Sequence, residues 1–199
     1  MSEHSISINT RRENTLAVAT GGICVAVAFV LSLITVYKMP QGGSVTPASM
    51  LPIFFFALCF GPAWGLGAAF LFSLLQLIGG YFMLPVQVLL DYTVAFTVLG
   101  IAGFFAAPKE KRLQKRSILG KLSLVSFDKM IISVVLGVTL RMFSHVLSGV
   151  IFFAEYAGDQ NPWIYSIIYN GSYLLPELII TLMLLLAVRL SFRIGRPKK

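Results

Sequence analysis

The sequence predicts an all-α integral membrane protein of six transmembrane helices with both termini in the cytoplasm. Three observations carry that expectation. Of the 199 residues, 57% are hydrophobic and only 12% charged, with a mean hydropathy of +0.83. Soluble domains carry roughly 45 to 50% apolar and about 25% charged residues, so a soluble enzyme is excluded. Six apolar runs follow one another, and at about 20 residues per crossing they leave no length for a separate soluble domain. The basic residues, which bring the formal net charge to +8, fall at the ends of alternate runs, as topology signals and not as a nucleic-acid surface.

Residues 1–15, with Arg11, Arg12 and Glu13, are polar and precede an apolar run from Leu16 to Tyr37. That run is too long for a signal-peptide core and has no clear cleavage site, so it reads as a retained first helix. After Lys38 to Ser44 come two runs, Met50 to Phe60 and Ala63 to Ile78, separated by Gly61 and Pro62, which make one continuous helix unfavourable. The first of these is short for a full crossing. The fourth run extends from Val86 to Ala107, the fifth from Lys129 to Phe153 and the sixth from Tyr165 to Leu190. Cys24 and Cys59 lie inside apolar runs and read as structural thiols.

Orientation follows from Lys and Arg. The amino end carries Arg11 and Arg12, the fourth connection carries Lys109, Lys111, Arg112, Lys115, Arg116 and Lys121, and the tail carries Arg189, Arg193, Arg196, Lys198 and Lys199. All three are expected in the cytoplasm. The alternate connections hold Lys38, no charge between Gly79 and Pro85, and Glu155 with Asp159. The expectation is thus one membrane domain over 1–199, with a polar cytoplasmic amino end (1–15), a basic cytoplasmic loop (108–128) and a basic cytoplasmic tail (191–199). The basic loop reads first as a solvated topology signal and second as a lipid-headgroup or partner contact.

Ionisable groups inside membrane helices are costly unless they face protein or a watery cavity, so each is a site hypothesis. Four stand out: Asp91, Arg141, His145 and Glu177. Asp91 and His145 are placed at one depth, in the outer halves of helices four and five. Tyr165, Tyr169 and Asn170 open helix six from the same side, and Tyr81 precedes helix four. A carboxylate, an imidazole, a carboxamide, several aromatic rings and the small Gly149 suit a planar, cationic or amino-bearing nitrogen heterocycle. Against this, Asp91 could serve as an ion-pair partner of Arg141 or at a helix start, and His145 as a buried structural histidine. Arg141 reads as a structural partner of Glu177. Glu177 follows Pro176 and reads as satisfying the interrupted helix or its neighbours. Phe54 to Phe56 read as lipid-facing or packing residues. Small residues in helix one, Ala17 with Gly21 or Gly22 with Ala26, permit close helix contact.

No phosphate-binding loop, H-E-x-x-H, Cys and His cluster or G-x-S-x-G occurs in the sequence. No catalytic residue, metal or cofactor is expected. Uphill transport would need energy from another subunit or an ion gradient.

Four motifs in order, MPQGGS (39–44), LPVQVLLDY (84–92) with Ala95 and Phe96, RMFSHVLSGVIFF (141–153) and PWIYSIIYN (162–170), resemble the thiamine-specific substrate-binding component of energy-coupling factor transporters. The resemblance implies a multi-pass subunit in the plasma membrane of a bacterium that captures thiamine from outside and associates with a coupling membrane protein and two ATPases. Asp91 matches the family's pocket carboxylate, often a glutamate. His145 matches the pocket histidine, Gly149 the small residue one turn later, and Tyr165 with Asn170 the pair that bonds the pyrimidine. Phe153 stands where a tryptophan can stack on the ligand, and Tyr81 and Tyr92 are further wall residues. Gln41 to Ser44 are implied to close the pocket, and helix one to dock the coupling protein through its small residues. Competing readings are the same architecture with a thiamine precursor or another vitamin, an integral-membrane enzyme using Asp91 and His145 as acid and base, and a membrane scaffold. Lipid is the surrounding medium; nucleic acid is no partner.

Overall fold

A computed structural model describes residues 3–194, with side chains from Thr10 to Ser191. Helix α1 (Glu3–Leu33) begins a dozen residues before the apolar run. The extension is held by Glu13, which is buried against Arg112 and Lys121 of the fourth connection. At its other end the helix stops four residues before Tyr37. Pro40 disfavours helix in the residue before it, and β-branched Thr35 and Val36 with Tyr37 suit an extended chain. Tyr37–Lys38 (β1) accordingly pairs antiparallel with Ser44–Val45 (β2), the one departure from an all-helical chain among the described residues. Gly42, at φ 96°, supplies the left-handed residue that turns this ribbon back.

Helices α2 (Leu51–Phe60) and α3 (Pro62–Leu75) meet at Gly61, whose φ of 91° and ψ of −178° end one helix and start the next. Pro62 then occupies the first turn, where its missing N–H costs nothing. Helix α2 is buried almost all round, so Phe54 and Phe56 are core residues and do not face lipid. A Cβ on Gly137 would come 2.8 Å from Phe54, and one on Gly21 would come 2.9 Å from Phe56. Those two glycines make room for the rings.

Helix α4 (Pro85–Phe105) changes pitch twice. It opens as α, widens to a π-turn over Leu89–Val94 and tightens to 3₁₀ over Val98–Phe105. The tight stretch lies backbone to backbone on α3: a Cβ on Gly100 would meet the Gly65 oxygen at 2.5 Å, and one on Gly103 the Gly61 carbonyl carbon at 2.5 Å. Only glycine permits this approach.

The basic connection folds into two short helices, α5 (Lys109–Leu113) and α6 (Ile118–Leu122). Here the solvated reading of the loop is corrected for two of its residues. Arg112 and Lys121 are buried: Lys121 bonds Glu13, Arg112 Nη1 lies 3.6 Å from Glu13, and Arg112 also donates to the Cys59 and Ala107 carbonyls. Burial pulls the Arg112 guanidinium down from its ordinary value while Glu13 works against that shift.

Helices α7 (Phe127–Phe152) and α8 (Pro162–Ile194) pack side by side, joined through a 3₁₀ turn at Ala154–Ala157. Four helices, α1, α4, α7 and α8, are long and apolar enough to cross a membrane, and α2 and α3 are shorter apolar helices. Val18, Ile23, Ile132, Phe143, Ile168 and Met183 are each more than half exposed, an outer surface suited to lipid. Both cysteines are buried and free. Of the basic tail, the Arg193 side chain and all of Arg196, Lys198 and Lys199 fall outside the described residues.

Candidate ligand-binding site

One cavity lies between α4, α7, α8 and the β1–β2 ribbon, and all eight residues singled out by sequence line it: Tyr81, Tyr92 and Asp91 from the α4 side, His145, Gly149 and Phe153 from α7, and Tyr165 and Asn170 from α8. Asp91 sits in the π-turn, where the Ala95 N–H reaches back five residues to the Leu90 oxygen. The Leu90 oxygen also accepts the Ser144 hydroxyl from α7 at 2.7 Å, which pins the widened turn against that helix. Such single-turn widenings recur at functional sites because they re-aim one side chain without ending the helix.

The Asp91 carboxylate is held by three donors. Oδ2 accepts Gln87 Nε2 at 2.6 Å and the Ser148 hydroxyl at 2.7 Å, and Oδ1 lies 3.1 Å from His145 Nδ1. The expected alternative, a direct pair between Asp91 and Arg141, is not what forms. Arg141 Nε instead donates to His145 Nε2 at 3.3 Å, so the imidazole stands between the guanidinium and the carboxylate. Arg141 also pairs with Glu177 at 3.4 Å and lies 4.1 Å over the Phe96 ring. A carboxylate, a cation and rings in one partly closed space favour a flat ligand bearing positive charge or polarised N–H groups.

Aromatic groups form the walls. Phe153 is 6.2 Å from Tyr81 and 6.1 Å from Tyr156, and Tyr165 stacks on Tyr169 at 6.1 Å and 23°. The Tyr92 hydroxyl accepts the Tyr81 N–H at 2.7 Å and so ties the connection before α4 to the helix itself. Asn170 donates to the Ser166 oxygen at 2.9 Å and accepts the Tyr173 hydroxyl at 2.6 Å. Gly149 has a packing reason for its missing side chain, since a Cβ there would collide with the Ser166 side chain.

The ribbon roofs the cavity. Tyr169 Oη accepts the backbone N–H groups of Gln41 and Gly43 at 3.2 and 3.3 Å, and a Cβ on Gly43 would come 2.6 Å from Tyr173. At the base of the same segment Thr46 gives its N–H (2.9 Å) and its hydroxyl to Glu177. Glu177 is thus spent on the ribbon and on Arg141. Gln41 Oε1 and Gln76 Nε2 are buried without a hydrogen-bond partner among the described residues, and both residues line the cavity.

Sequence reasoning passed over Gln87, Ser148 and Gln76, and kept Arg141 out of the site. For Gln87 and Ser148 a signal existed, because Gln87 precedes Asp91 by four residues and Ser148 follows His145 by three, spacings that share a helix face. Gln76, at the carboxyl end of α3, has no such pattern.

Comparison with known proteins decides the family. The model of thiamine transporter proteins (Thia_YuaJ) matches residues 18–193. The chain belongs to the thiamine transporter (Thia_YuaJ) family. The thiamine transporter ThiT of Bacillus subtilis is 41% identical over 170 residues, covering 82% of this chain and 84% of that one. ThiT of Lacticaseibacillus paracasei is 29% identical over 140 residues, 67% of each chain. The solved structure of ThiT from Listeria monocytogenes superposes with a TM-score of 0.72 at 24% identity, covering 92% of this chain and 99% of that one, and shows that the membrane fold is shared. The chain is therefore a multi-pass protein of the bacterial plasma membrane. Its relatives are named transporters and not enzymes, which sets aside Asp91 and His145 as an acid and base pair.

Proposed function

We propose that this protein is the thiamine-binding subunit of a vitamin importer and that the cavity around Asp91 is its ligand site. The observation that carries the reading is the carboxylate itself: three donors hold Asp91 inside an aromatic-walled cavity, which suits a flat cationic heterocycle with an exocyclic amine. Asp91 meets the charged or amino-bearing part of the ligand, Phe153 offers a stacking face, and Tyr165 and Asn170 flank the pyrimidine. Tyr81 and Tyr92 complete the wall, with Gly149 leaving room one turn from His145. The Gln41 carbonyl and Gln76 amide, without a hydrogen-bond partner among the described residues, add an acceptor and a donor that the ligand can satisfy.

The charge pattern supports six membrane crossings in a single domain, with both termini and the 108–128 connection in the cytoplasm and the cavity opening outward beneath the ribbon. The chain carries no nucleotide-binding motif, and its resemblance to substrate-binding components of energy-coupling factor transporters supports a coupling membrane protein and two ATPases as partners. Helix α1 is the docking element. Ala17 and Gly21 are buried, whereas Gly22 and Ala26 are exposed, with nothing within 4 Å of a Cβ on Gly22. The second pair is thus the one open to a partner.

Calorimetry or intrinsic fluorescence with thiamine on detergent-purified protein tests the ligand. Saturable binding of one thiamine per chain is the expected result. Absence of binding, or tighter binding of a thiamine precursor or another vitamin in a parallel panel, would overturn the assignment.

A further inference from the structure

We propose that Arg141 and Glu177 are positioning residues of the ligand site, fixing the ring proton of His145 on Nδ1, aiming Asp91, and tying both to the ribbon over the cavity. The proposal rests on the reading of this cavity as the thiamine site, and it concerns the two buried charges that reading leaves without a task. Both are deeply enclosed, with side-chain exposures of 7% and 2%. A buried pair of this kind is weak evidence for stability, because desolvation offsets most of its attraction. What it touches is more informative.

The hydrogen bonds run in one direction. Arginine has donors only, so the 3.3 Å contact from Arg141 Nε requires a lone pair on His145 Nε2. The proton of the neutral ring then lies on Nδ1, the tautomer that free histidine favours less in water, and is donated to Asp91 Oδ1 at 3.1 Å. A doubly protonated ring would set an N–H against the guanidinium N–H. Gln87 and Ser148 donate to its other oxygen, so Asp91 faces donors alone. Arg141 is oriented by Glu177 Oε2 on one side and by the Phe96 face on the other. The second oxygen of Glu177 takes both donors of Thr46, at the base of the segment that carries Gln41 to Ser44 over the cavity. One carboxylate therefore holds the roof with one oxygen and, through Arg141 and His145, the Asp91 carboxylate with the other.

The chain contains two histidines, His4 and His145, so ¹⁵N-histidine labelling of the full-length protein in detergent gives a spectrum that His145→Gln assigns. The expected parent spectrum shows a neutral His145 ring protonated on Nδ1. Arg141→Met should abolish that preference and weaken thiamine binding roughly tenfold, the loss of about one to one and a half kcal/mol of positioned hydrogen bonding. Arg141→Lys, which keeps a charge and a donor, should recover most of both. Glu177→Gln presents an amide N–H either to Thr46 or to Arg141, and should shift the His145 resonances while weakening binding. A parent ring protonated on Nε2 or on both nitrogens overturns the proposal, and this readout needs no variant to fold. Folded Arg141→Met or Glu177→Gln protein with parental resonances and parental affinity overturns it equally. A parent with the Nδ1–H ring that binds no thiamine overturns the ligand assignment alone, since the tautomer is read without ligand.

Discussion

Asp91 is the shorter of the two acidic side chains, and its surroundings show how the site holds it. Asp91 sits in the π-turn, and Gln87, Ser148 and His145 fix its carboxylate with three contacts, which leaves acceptor capacity for a ligand. Asp91→Asn keeps the volume but places an amide N–H against one of those donors and removes the charge offered to the ligand. Charge-assisted hydrogen bonds are worth about 1.5 to 3 kcal/mol, so thiamine affinity should fall roughly ten- to a hundredfold in an equilibrium titration. An unchanged affinity would move the ligand away from Asp91. Gly149 makes the complementary point. It was singled out as a small pocket residue, yet its nearest obstacle is Ser166 of α8. Gly149→Ala must turn the Ser166 hydroxyl away from Val146 and Asn170 or push α8 off α7, so it should lower the midpoint of thermal unfolding as well as affinity. Asp91 and His145 were legible from sequence because an ionisable residue in an apolar run advertises itself. Gln87 and Ser148 were not, because polar uncharged residues are cheap enough in a membrane helix to pass as ordinary.

At the scale of elements, apolar runs and a Gly-Pro pair located the helices, and what escaped was their local geometry. Nothing in LPVQVLLDYTV announces a widened turn, since a π-turn arises from tertiary demands such as the Ser144 bond to the Leu90 oxygen. The ribbon escaped too: residues 34–37 continue the hydrophobicity of α1, and only the pairing of Tyr37–Lys38 with Ser44–Val45 takes them out of the helix. That ribbon is held at its tip by the Tyr169 hydroxyl, which accepts two backbone N–H groups. Tyr169→Phe removes the acceptor while keeping the ring stacked on Tyr165. If the ribbon must lift for thiamine to leave, losing two bonds of about 1 kcal/mol each should raise the dissociation rate roughly five- to thirtyfold in a stopped-flow displacement experiment. An unaltered rate would mean that the ribbon does not govern exit. If α1 docks the proposed coupling protein, Gly22→Leu and Ala26→Leu should weaken copurification with it while leaving thiamine binding intact. Ala17→Leu, at a residue with no exposure, should lower the yield of folded protein before assembly is reached.

Taken whole, the molecule has a polar cluster near each end. The one around Asp91 lies under the ribbon, and the other joins Glu13 of α1 to Arg112 and Lys121 of the basic connection. Counting charges along the sequence marked that connection as a topology signal but could not show that two of its cations are interior, because their partner stands about a hundred residues away in the chain. Removing one member of a buried cluster leaves the others uncompensated, at a cost of about 3 to 5 kcal/mol. Glu13→Gln should therefore lower thermal stability strongly, with binding by the folded fraction unchanged. Of the remaining cations of the connection, Lys109, Lys111 and Arg116 are exposed, and so is Asp159 at the other end of α7. If positive charge sets the orientation, Arg116 and Asp159 lie on opposite sides of the membrane. The native thiols offer little background, since Cys59 has no exposure and Cys24 only 8%. A cysteine at Arg116 should thus react with an impermeant maleimide only when the cytoplasmic face is open, and one at Asp159 in intact cells. Labelling of both from the same side would break the proposed crossing of α7, and reversed labelling would turn the cavity toward the cytoplasm, where a subunit that captures its ligand from outside could not use it.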